Sequence, residues 1–185
     1  MAFVHLHTHS SSSPMWGVPT VEALCQSVKN QGQEFLALTD TNGLYGAIHF
    51  LEVAREHGLK PILGAELISG VHRAVLLAKN STGYANLCRI LSARHCDESF
   101  DFLKTVALHR TGLVLLSDDP VAVTAWQAES AEDLYIELTP GESLQDSVAL
   151  SRRLKLPPVA TTRAAFLQPA DYQAHRLLRA IAENT

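Results

Sequence analysis

Short apolar runs alternate along the chain with longer amphipathic stretches. Residues 34–40 carry Phe35-Leu36-Ala37-Leu38 and end in Thr39-Asp40. Residues 61–66 read Pro-Ile-Leu-Gly-Ala-Glu, and further runs fall at 74–78, 112–116, 134–138 and 158–162. Continuous apolar runs of this length predict strands covered on both faces. Between them, Val21, Leu24, Cys25 and Val28 form one stripe of a helix over 20–31 that Gly32 ends. Helices are likewise predicted over 44–57, closed by Gly58, and over 81–93, 97–109, 142–154 and 170–183. Ser117-Asp118-Asp119-Pro120 suits the start of another over 121–128.

Residues 3–9, Phe-Val-His-Leu-His-Thr-His, complete a set of seven strands. In an extended chain Phe3, His5, His7 and His9 share one face. Imidazole is the commonest protein ligand for zinc and also suits iron and manganese, and His-x-His brings two ring nitrogens close enough to share an ion. The alternation of strand and helix predicts an α/β fold, either doubly wound or a barrel. No Gly-x-Gly-x-x-Gly follows a strand, so a dinucleotide site is unsupported. His7, His9, Asp40, Glu66 and Arg163 all fall at or just past strand C-termini, the end where parallel barrels assemble their sites. A seven-stranded parallel (β/α)7 TIM-like barrel is therefore the expected architecture.

A chain of 185 residues with 46% hydrophobic side chains is long enough for one domain, and 1–185 is expected to form one. The formal net charge of −4 disfavours a surface devoted to nucleic acid. Cys25, Cys88 and Cys96 show no paired spacing, which points to reduced thiols and a cytosolic protein. No signal-peptide pattern or membrane-length apolar run is present. Ser10-Ser11-Ser12-Ser13 reads as a solvated loop, and Glu137 as strand-interior structure. The basic residues Arg152, Arg153, Lys155, Arg176 and Arg179 read as solvated helix faces.

Three stretches carry a resemblance. Phe-Val-His-Leu-His-Thr-His-Ser, Leu-Thr-Asp-Thr-Asn-Gly-Leu-Tyr-Gly at 38–46 and Gly-Ala-Glu at 64–66 are similar to the polymerase and histidinol phosphatase (PHP) domain. The similarity is greatest to the N-terminal PHP domain of bacterial C-family DNA polymerases, the polymerase III alpha subunit and its error-prone relatives. Leu76-Leu77-Ala78-Lys79-Asn80, Gly83-Tyr84-Ala85-Asn86-Leu87, Pro158-Val159-Ala160-Thr161-Thr162 and residues 171–180 extend it over nearly the whole chain. The resemblance implies a distorted seven-stranded barrel holding up to three divalent metals and hydrolysing phosphate esters. It identifies His7, His9, Asp40 and Glu66 as metal ligands, residual or vestigial, with His5, Thr41 and Arg163 on the rim.

The match is incomplete. Thr41 stands where the family's Thr-Asp-His has its histidine, and Trp16 where polymerase relatives have an acid. Arg163 and Ala165 stand where the final Asp-x-His falls. A hydroxyl is a poor replacement for imidazole toward zinc or manganese. Guanidinium stays charged in proteins, and at ~4 Å and an effective dielectric near 20 each unit charge pair is worth about 4 kcal/mol. A dication beside Arg163 is therefore disfavoured, and Asp40 and Glu66 are expected either to hold one remaining ion, zinc or manganese, or to pair with Arg163 and the histidines in a metal-free network.

The expected function is a mainly structural PHP domain in a longer, DNA-replicating or repairing polymerase chain, packed on its palm and thumb and meeting DNA only indirectly. The alternative is a stand-alone metal-dependent phosphoesterase.

Overall fold

A computed structural model describes residues 3–141 and 144–184. The chain divides into two compact units, Met1–Leu63 with Thr162–Thr185, and Gly64–Thr161.

In the first unit, α1 (Val21–Asn30) and α2 (Ala47–Glu56) flank the strand β1 (Phe35–Leu38). Thr20 caps α1 by accepting from the Ala23 amide, and Gly32 at φ 69° takes the left-handed turn beyond its end. Val21, Leu24, Cys25 and Val28 of α1 pack with Leu36, Leu38, Phe50 and Val53, as the stripe requires. β1 pairs in parallel with residues 60–63 of β2 (Lys60–Ser69). The C-terminal segment contributes α7 (Tyr172–Glu183).

Burial of Cys25 pushes its thiol up to about 11, so at pH 8 only about one molecule in a thousand carries the thiolate there. Cys96 is exposed on the surface of the second unit. In native protein at pH 8 iodoacetamide is expected to label Cys96 and leave Cys25 unmodified until denaturant is added, as read by peptide mass spectrometry.

The second unit holds residues 64–69 of β2, then β3 (His72–Ala78), α3 (Ser81–Cys96), α4 (Phe102–His109) and β4 (Leu113–Ser117). It continues through α5 (Pro120–Glu129), β5 (Leu134–Leu138), α6 (Leu144–Leu154) and β6 (Pro158–Ala160). Asn80, Asp101 and Asp119 cap α3, α4 and α5. Trp126 is fully buried, stacks on Phe102 with centroids 5.6 Å apart and donates its indole N–H to the Leu103 carbonyl at 3.0 Å.

The strand pattern differs from the expected one in two respects. Among the described residues there are six strands, not seven, because residues 3–9 make only isolated bridges, His5 to Leu36 and Thr8 to Ala164, around a bend at His7. The sheet is also mixed: β3 runs antiparallel to both β2 and β4, while β4, β5 and β6 are parallel. Only two residues, Gly70 and Val71, separate β2 from β3, and so short a link joins antiparallel strands alone. The expected start of a helix at Glu142 lies outside the described residues. No described helix is long and apolar enough to cross a membrane.

Candidate metal centre

The first unit gathers His7, His9, Asp40 and Thr41 around the loop that follows the bridges. The Nε2 atoms of His7 and His9 face each other at 3.1 Å, and both rings are buried. Zinc–imidazole bonds are about 2.0–2.1 Å long, so two nitrogens at this separation can share one ion.

The bend at His7 breaks the alternation of an extended strand, and the Ser10–Ser13 stretch then folds inward. Ser10 and Ser13 are buried rather than solvated. Gly17 makes the fold possible, since a Cβ there would lie 1.9 Å from the Ser10 carbonyl oxygen. The carboxylate of Asp40 accepts the Ser10 amide at 2.7 Å, the Ser10 hydroxyl at 2.9 Å and the Ser13 hydroxyl at 2.8 Å. Burial pushes the Asp40 carboxyl above its ordinary range, against the downward pull of these donors.

Ser13 Oγ lies 3.1 Å from His9 Nδ1 and gives its own proton to Asp40, so it is placed to accept from Nδ1. In that tautomer Nε2 is the basic nitrogen aimed at His7. Asp40 thus acts on His9 through one hydroxyl, the arrangement that orients a metal-binding imidazole. Ser13→Ala is expected to weaken divalent-ion binding at the imidazole pair by about 10–100-fold, measured by calorimetric titration with Zn2+.

Thr41 places its hydroxyl 3.4 Å from His9 Nδ1, on the side of the ring away from Nε2. His5 turns to Thr162, with Nδ1 3.1 Å from its hydroxyl, and partial burial lowers its basicity. Arg163 adopts a left-handed backbone (φ 45°) and stacks on Trp16, 4.6 Å from the ring centroid. Arg179 stacks on the same ring at 4.5 Å, and the ring meets His9 edge-on at 5.8 Å. The position where the resemblance has an acid therefore holds a Trp16 ring carrying two guanidinium groups.

Glu66 belongs to the second unit, and its ionic partner there is Arg73, which the sequence reading missed. Arg73 Nη1 lies 3.7 Å from Glu66 Oε1 and 2.9 Å from Glu137 Oε2, and Nη2 lies 2.7 Å from Asp118 Oδ1. Glu66 and Glu137 are fully buried, and the Thr161 hydroxyl donates to Glu137 at 2.7 Å. Glu137 is thus part of an ionic network. A signal for Arg73 existed in the two-residue link before His72, which carries the strand back past Glu66.

The PHP domain family model matches residues 5–140. DNA polymerase III subunit alpha from Buchnera aphidicola subsp. Schizaphis graminum is 32% identical over an alignment covering 98% of this chain and 19% of that protein. The Treponema pallidum subunit is 36% identical over 63% of this chain and 12% of its own length. An error-prone DNA polymerase from Symbiobacterium thermophilum is 44% identical over 51% of this chain and 9% of its own length. The chain spans less than a fifth of the length of these relatives. Among solved structures, a two-domain protein from Bacteroides vulgatus containing a predicted PHP-like metal-dependent phosphoesterase has a TM-score of 0.65 at 13% identity, covering 91% of this chain and 53% of that one. An amidohydrolase from Chromobacterium violaceum has a TM-score of 0.55 at 17% identity, covering 99% of this chain and all of the other. Motifs, α/β fold and family match agree: the chain belongs to the PHP domain family.

Proposed function

We propose that residues 1–185 form the PHP domain of a bacterial C-family DNA polymerase, of the polymerase III alpha or error-prone type, with a mainly structural role beside the palm and thumb. On this reading the chain works in the bacterial cytoplasm and meets DNA through the rest of the polymerase. One divalent ion, zinc or manganese, is held by His7 and His9, with Asp40 orienting His9. When bound, such an ion supplies Lewis acidity and a water of lowered pKa.

The observation that carries the reading is the position of Thr41. Where the family motif has a histidine, its hydroxyl lies on the Nδ1 side of His9, away from Nε2, so it cannot extend the His7–His9 pair. Arg163, drawn onto Trp16, supplies no ligand either. A ligand set reduced in this way suits a scaffold better than a hydrolase that needs several ions at once.

Two results test the reading. The native reading frame should continue past codon 185 into a polymerase palm with its three carboxylates. The purified chain, given Mn2+ and a 3′-labelled oligonucleotide or p-nitrophenyl phosphate, should show no chelator-sensitive hydrolysis. A stop codon together with Mn2+-dependent turnover would establish the stand-alone phosphoesterase instead.

A further inference from the structure

In the second unit, the strand register sets one row of acidic positions with a single base among them. Arg73 pairs with Ile68 across β2 and β3, which places it on the same face as Glu66, two residues along β2. Val75 pairs with Leu116 and Ser117 with Ile136, so continuing the first ladder two residues brings Asp118 level with Arg73, and continuing the second by one brings Glu137 beside Asp118. The contacts follow from the register: Glu137 at 2.9 Å, Asp118 at 2.7 Å and Glu66 at 3.7 Å all reach the same guanidinium. The Ser117 hydroxyl donates to the Arg73 carbonyl at 2.6 Å and fixes that strand against β4. Burial opposes the charge on Arg73, but Glu137, Asp118 and Glu66 outweigh it and hold the guanidinium above its ordinary range.

We infer that Arg73 is a built-in counter-ion occupying the place of a divalent cation among Glu66, Asp118 and Glu137. Two carboxylates from β2 and β5 and one from the residue just past β4, two of the three fully buried, are the oxygen-rich set a hard dication takes. Arginine fills that space with a cation that neither dissociates nor loses its proton. The second unit therefore does not fit the multi-metal chemistry of the family, whatever the first unit binds. The inference rests on the PHP reading for the expectation of metal, but its geometry lies wholly within the second unit.

The test counts bound Mn2+ by electron paramagnetic resonance in the 185-residue protein and follows its melting temperature with and without Mn2+. Arg73→Ala is expected to bind one more equivalent than the parent protein and to melt at least 10 °C higher when Mn2+ is added. Arg73→Lys, which keeps the charge, should gain none. If Arg73→Ala does not fold in chelator, helical circular dichroism should return on refolding with Mn2+, while the charge-matched double variant Arg73→Gln/Glu137→Gln should fold without Mn2+ and bind no more of it than the parent protein. Equal stoichiometry in Arg73→Ala and the parent protein would overturn the inference, as would an Arg73→Ala chain that stays unfolded in Mn2+. Failure of the PHP metal reading looks different: the parent protein would then bind no ion that His7→Ala removes, while the gain on removing Arg73 would stand.

Discussion

Asp40→Ala is expected to lower the unfolding free energy by about 3–5 kcal/mol, among the largest losses available to a single substitution in the first unit. Asp40 is 2% exposed and accepts the Ser10 amide and the hydroxyls of Ser10 and Ser13. Alanine leaves those donors buried without an acceptor, at about 1–3 kcal/mol for each group that water cannot reach. It also releases Ser13 from the orientation that fixes His9, so ion binding should fall in parallel. Asp40→Asn keeps an acceptor at Oδ1 and should cost about 1 kcal/mol. Urea denaturation of both variants decides the point: equal losses would mean that charge, not hydrogen bonding, is what Asp40 contributes.

Glu137→Ala should cost a similar amount, about 3–5 kcal/mol, because it breaks a buried ion pair from one side. Arg73 is mostly buried, with 15% of its side chain exposed, and would lose its fully buried partner at 2.9 Å while Thr161 loses its acceptor. Replacing both ends, as in Arg73→Met with Glu137→Leu, should recover part of the loss, since the pair carries its own desolvation cost. A loss below about 1 kcal/mol in Glu137→Ala, measured by the same denaturation, would show that the pair is solvated and contributes little.

The imidazole pair was legible because two histidines one residue apart have few other uses on a largely buried segment. Their support was not legible. Ser10 and Ser13 are small and polar, and such a run reads as a solvated loop unless the chain is known to fold back under Gly17 onto Asp40. The sequence leaves Asp40 and Glu66 either holding an ion or pairing with Arg163 and the histidines. In the structure the Arg73 guanidinium meets Glu66, and Arg163 stacks on Trp16. The Arg73 contact depends on register: the link at Gly70 and Val71 makes β3 antiparallel and sets residue 73 level with the acidic row, whereas the apolar pattern of 74–78 begins one residue too late to show it. The same link explains why alternation of strand and helix suggested an all-parallel sheet. Between β2 and β3 there is no helix to alternate with.

Metal content of the whole chain bears most directly on the idea of a reduced centre, with one imidazole pair in one unit and a guanidinium in the other. After equilibrium dialysis against Zn2+ or Mn2+ and elemental analysis, we predict at most one equivalent per chain, lost in His9→Ala. Two or three equivalents retained by the unmodified protein, with chelator-sensitive phosphoesterase activity, would contradict it.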